Sequence, residues 1–161
     1  MSSQYKGSLV QLVLIAVALG APNPSLAGES LQGTWVLNLA KSKFDPGPPP
    51  KSQTRTMSVE GDMHTTVIET VTAAGEKVSS RSTLRLDGKD YPVQGNRDID
   101  TVAFKPVDAN TAHGILKRDG KVVAEVTRTL SADGRTLTLK SKGTNPQGKP
   151  TNNVSVFDRA R

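Results

Sequence analysis

The chain has 161 residues, enough for one domain, and carries 21 Lys and Arg against 15 Asp and Glu, a net charge of +6. It has no cysteine, which excludes disulfide staples, a thiol nucleophile and a thiolate metal site. The basic residues are scattered and the aromatics Trp35, Phe44, Tyr91, Phe104 and Phe157 lie far apart, so no nucleic-acid partner is expected.

Residues 1–27 read as a secretory signal peptide. Lys6 lies in a short polar start, an apolar run extends from Leu9 to about Ala21, and Ser25 and Ala27 stand where a signal peptidase reads small side chains. The run is shorter than the roughly 20 residues a membrane helix needs, so no stable membrane insertion is expected. Cleavage near Ala27 predicts a periplasmic or secreted protein, with residues 28–161 as its single domain.

From Leu31 onward the hydrophobic pattern has period two almost throughout. "TWVLNLA" puts Trp35, Leu37 and Leu39 on one face, and 63–71, 82–87, 101–107, 121–130, 135–141 and 153–159 alternate likewise. Val and Thr dominate, as suits a pleated, half-buried surface. Turn signals recur between these runs, including Asp-Gly at Asp87-Gly88, Asp119-Gly120 and Asp133-Gly134, a strong hairpin cue. About ten short antiparallel strands result, and closure into a barrel would dispose of their edges. The predicted fold is all-β, one antiparallel up-and-down barrel of about 8–10 strands. "KSKFDPGPPPKS", 41–52, cannot enter a sheet interior and is expected to cross one mouth as an extended arm. "DGKDYPVQGN", 87–96, reads as a sheet corner, with a rim site beside Tyr91, Asp98 and Asp100 left open.

The opening "GTWVLNLAKSKF" has the Gly-x-Trp start of lipocalins and their relatives, the calycins. With the strand meander and the late "DGRTLTLKSKG", residues 31–159 resemble a lipocalin-like or fatty-acid-binding-protein-like barrel, and also a group of small exported bacterial proteins of unassigned function. The resemblance implies that Gly33 and Trp35 plug the closed end. It does not transfer a ligand, because no helical lid, no matching arginine–tyrosine pair and no long C-terminal helix is visible.

Chemistry-bearing residues are few. The two histidines, His64 and His113, both fall in predicted strands; facing inward, either would be a candidate general base, with Tyr91 or Arg128 as electrophilic help. Neither has a histidine partner at zinc spacing, and the aspartates of 87–100 lack a calcium-loop order, so no metal is expected. No G-x-S-x-G, G-x-G-x-x-G or phosphate loop occurs, and no cofactor is expected. Arg128 sits on the otherwise apolar face of Val122, Ala124, Val126 and Leu130, where it must reach a rim or meet an anion. The face of Val78, Ser80, Ser82 and Leu84 mixes polar and apolar residues, which suits a cavity more than a solid core. These features together predict a monomeric barrel binding a small hydrophobic or amphipathic molecule, oriented by Arg128, Thr127 or Thr129, and His113. A small barrel enzyme (isomerase, lyase or hydrolase) and an envelope interaction module remain the alternatives.

Overall fold

The computed structural model describes residues 31–161; the predicted leader lies outside the described residues. Ten strands follow in chain order: β1 (Gly33–Leu37), β2 (Ser52–Glu60), β3 (Met63–Val71), β4 (Lys77–Leu84) and β5 (Tyr91–Gln94). They continue as β6 (Thr101–Pro106), β7 (Thr111–Arg118), β8 (Lys121–Leu130), β9 (Thr136–Thr144) and β10 (Pro150–Arg159). Each pairs antiparallel with its sequence neighbours, and β1 also pairs with β10, so the meander closes into a barrel without a free edge. The predicted all-β, up-and-down architecture is the observed one.

Strand alternation sorts the side chains. On β2, Gln53, Arg55 and Met57 face inward; on β3, His64, Thr66, Ile68 and Thr70; on β4, Val78, Ser80, Ser82 and Leu84. The apolar core gathers at one end of the barrel. Trp35, Leu137 and Phe157 are fully enclosed there with Leu31, Met57, Val126, Leu130 and Leu139. The Trp35 Nε1–H donates to the Leu31 carbonyl at 3.0 Å, and the Arg159 guanidinium caps its ring at 4.2 Å. Burying a large apolar side chain contributes about 1.5–3 kcal/mol, so this floor is the stable half of the molecule.

The other end is open, and two irregular segments form its lip. One is the proline-rich arm. After a single 3-10 turn (Leu39–Lys41), Lys43 bridges Val154, and the Asn152 N–H donates to the Asp45 carbonyl at 2.8 Å. The arm thus prolongs β1 along β10 before crossing to the start of β2, with cis peptides at Asp45-Pro46 and Gly47-Pro48. The other segment is the 95–100 loop. Gly95 lies at φ +75°, and a Cβ there would stand 2.2 Å from the Ser79 carbonyl oxygen, so the loop can press onto β4 only with glycine.

The Asp-Gly signals behave differently from one another. Asp119-Gly120, both at positive φ, joins Arg118 to its register partner Lys121 in a two-residue hairpin as expected. Asp87-Gly88 instead belongs to a longer β4–β5 connection, where the Gly88 N–H donates to the Phe104 carbonyl on β6. Tyr91 Oη–H donates to Asp87 Oδ2 at 3.0 Å across this corner.

Candidate functional site

Between the apolar floor and the lip lies a cavity of about 330 Å³, within the range of small-molecule sites. Its wall is layered. Near the mouth it is polar, with Gln53, Thr70, Asn96, Ser141, Asn153 and Ser155, and Phe44 and Pro50 of the arm border it. Ile68, Val78, Val93, Ile99, Val102 and Leu116 add an apolar lining. Lower down come Arg55, His64 and Arg128, against Met57, Leu84, Phe104 and Leu139.

The two arginines decide the character of the site. Arg128 is 9% exposed, and its guanidinium lies over the Phe104 ring at 5.1 Å. Arg55 lies over Phe157 at 5.0 Å; its Nε is closed off from solvent and has no hydrogen-bond partner. Among the described residues neither forms an ion pair. The ion pairs present, such as Arg85–Asp62 at 2.7 Å and Lys117–Asp90 at 2.7 Å, occupy the outside. No carboxylate lines the cavity among the described residues.

Two cations held this way carry a cost. Burial, and then the positive field of Arg128, brings Arg55 down to about 10, and burial alone does the same to Arg128. Both remain charged at neutral pH. Face contacts with aromatic rings recover part of the lost hydration, worth about 0.5–2 kcal/mol each, but supply no acceptor for the N–H groups. His64 stands in the same field. Burial first and Arg128 second hold its pKa below the ordinary 6.5, with Asp62 pulling weakly the other way, so it is neutral at pH 7.

Phe104 owes its place to a glycine. A Cβ on Gly114, opposite it on β7, would come within 2.5 Å of the ring, so the missing side chain is the space the ring fills. That ring in turn underlies Arg128.

No family model and no curated protein matches the chain. Solved structures do match. Rv2717c from M. tuberculosis aligns with TM-score 0.56 and 15% identity over 88% of this chain and 99% of its own. Zebrafish ileal bile acid-binding protein, solved with cholic acid, aligns with TM-score 0.50 and 11% identity over 81% of this chain and 99% of its own. With ten antiparallel strands in a closed ring, the architecture is settled. The fold is a closed ten-stranded up-and-down barrel, similar to those of these two proteins.

Within this barrel the residues singled out from sequence separate cleanly. Arg128 and His64 line the cavity, and Trp35 is enclosed at its floor with Gly33 two residues before it on β1. Thr127 and Thr129 alternate with Arg128 and therefore fall on the outer side of β8. His113 pairs with Lys105 and Thr127 on the outside of β7, so the two histidines do not converge. Tyr91 is engaged with Asp87 at the corner and does not border the cavity. Sequence reasoning missed Arg55. Its strand, "SQTRTMSVE", puts Met57 and Val59 on the face of Arg55 and only Ser, Thr and Glu on the other, so strand parity already marked Arg55 as interior.

Chemically, the arrangement can bind an anion better than it can move a proton. His64 is the one imidazole on the wall, and no hydrogen bond orients it among the described residues, as general-base work normally requires.

Proposed function

We propose that this protein binds a small, largely apolar molecule inside the barrel, and that the molecule carries an anionic group held by Arg55 and Arg128. The observation that supports this reading is the pair of guanidiniums, Arg128 buried and Arg55 with its Nε closed off and unpartnered, in a cavity with no carboxylate on its wall among the described residues. An arginine offers donors in a fixed fork that matches a carboxylate or similar oxyanion, and such charge-assisted bonds are about twice as strong as neutral ones. The layered wall sets the pose: anionic head toward the floor, apolar body along the middle. Zebrafish ileal bile acid-binding protein, on a comparable barrel, was solved with cholic acid. The leader-like residues 1–27 support an exported protein, so the ligand would be met outside the cytoplasm.

The test compares decanoate with methyl decanoate by calorimetric titration, alongside native mass spectrometry of gently purified protein before and after organic extraction. Decanoate is expected to bind at least tenfold tighter than its ester, since one charge-assisted hydrogen bond is worth about 1.5–3 kcal/mol. Arg128→Met is expected to abolish that preference while the empty protein melts no lower than wild type, because an unpaired buried charge is removed. Equal binding of acid and ester, or an unchanged preference in Arg128→Met, would overturn the reading.

A further inference from the structure

The mouth carries its own chemical instruction. Asn96 Oδ1 accepts hydrogen bonds from the Asp98 N–H at 2.8 Å and the Ile99 N–H at 3.1 Å. Asn153 Oδ1 accepts from the Asp45 N–H at 2.9 Å. A peptide N–H can only donate, so each of these contacts requires the amide oxygen. Both side chains are thereby locked with their oxygens turned to the two lip segments. What each has left is its NH₂ group. Gln53 is less constrained, because it meets the Thr70 hydroxyl at 2.9 Å, which can accept or donate. The exposed Arg81 borders the same cavity and offers only donors.

We infer that the ligand is bifunctional, bearing a hydrogen-bond-accepting group at the end opposite its anionic head, where Asn96 on one wall of the mouth or Asn153 on the facing wall donates to it. This rests on the binding role proposed above and narrows its ligand class. A plain alkyl tail would displace water from either half-buried NH₂ group and return nothing, and an unsatisfied donor costs about 1–3 kcal/mol. An ester, ketone, hydroxyl or carboxylate oxygen at that level satisfies the one it meets. A primary ammonium does the reverse and places donors against donors. The depth of the cavity wall bounds the length of the ligand. His64 at the floor and Thr70 at the mouth are six residues apart on β3, about 20 Å along the strand and about 15 Å along a barrel axis tilted by roughly 40°. An extended chain advances about 1.2 Å per bond, so the eleven bonds from a carboxylate oxygen to the far ester oxygen of a ten-carbon diacid span about 13 Å, close to this depth.

Three probes of that length test the inference: decanoate, the monomethyl ester of decanedioic acid, and 10-aminodecanoate. On the wild-type protein the monoester is expected to bind about threefold to tenfold tighter than decanoate, as one net neutral hydrogen bond provides. The amino acid is expected to bind more weakly than decanoate. Asn96→Asp and Asn153→Asp keep the oxygen that the backbone needs and replace the NH₂, so fold and melting temperature are expected to persist. In at least one of these variants the order should invert, with 10-aminodecanoate overtaking the monoester. If monoester and decanoate bind alike to wild type while decanoate still outcompetes methyl decanoate, the second recognition end is overturned and the anion site stands. If decanoate does not outcompete methyl decanoate, the anion site itself has failed.

Discussion

Arg128 would be an ordinary surface residue one position along its strand in either direction. Its interior place comes from strand parity alone, and Thr127 and Thr129 illustrate the alternative. Once inside, it adds its positive field to the effect of burial on the neighbouring His64. His64 has a folded-state pKa below 6.5, so between that value and 6.5 the unfolded chain binds the proton that the folded barrel refuses. Stability contributed by neutral His64 is therefore complete above pH 6.5 and is lost as pH falls through its folded-state pKa. Thermal melts from pH 7.5 to 5 are expected to show this decline, and His64→Gln to flatten it. A decline of equal slope in the variant would remove His64 from the account. Asp87, Asp133 and Asp158 do not confuse the measurement. Hydrogen bonds hold all three below the ordinary 3.8, chiefly from the Lys89 N–H, the Ser131 hydroxyl and the Asn38 amide respectively, so they act at more acid pH.

Among the elements, the 95–100 loop depends most narrowly on one residue. Gly95→Ala would combine a positive φ with a Cβ driven into the Ser79 carbonyl, and a loss of at least about 1–2 kcal/mol is expected, read as a lower denaturant midpoint. An unchanged midpoint would mean that the loop does not press on β4 as described. How far such elements were legible in the sequence depended on whether one strand face was clearly apolar. β8 was legible because Val126 and Leu130 flank Arg128 on a face of their own. The mixed face of β4 was legible for the opposite reason, since Ser80 and Ser82 interrupt Val78 and Leu84 and do line a cavity. β7 misled, because its inward residues include Ala112 and Gly114, kept small by the Phe104 ring, while Ile115 makes the outer face look apolar. β2 carried its parity in Met57 and Val59 alone, two residues at the end of a mostly polar strand, and Arg55 went unseen with it. The Asn96 orientation comes from a local turn, its oxygen accepting from the N–H groups two and three residues on, whereas that of Asn153 depends on the distant Asp45 N–H, which no local pattern of residues encodes.

On the scale of the whole barrel, cohesion is uneven around the ring. β9 and β10 are paired continuously from Pro150–Thr144 to Asp158–Thr136. β5 is held in register to β4 only through Arg81–Gln94 and Ser82–Val93, and to β6 only through Tyr91–Val102 and Pro92–Thr101. Native-state amide exchange is expected to be fastest, among the strands, at Tyr91–Gln94, and to slow there when a ligand fills the cavity beside Val93. Uniform protection around the ring would contradict a weak seam. The uncompensated guanidiniums have one more consequence, and it concerns rejection. A sterol, a hydrocarbon or a fatty amine would fill the same space, yet each would leave Arg55 and Arg128 dry and without a counter-charge, and the amine would add repulsion. On the proposed reading, the interior would act as a charge sieve. In a mixture of apolar solutes, the barrel discards neutral and cationic members through the penalty they incur, before any fit of shape is tried.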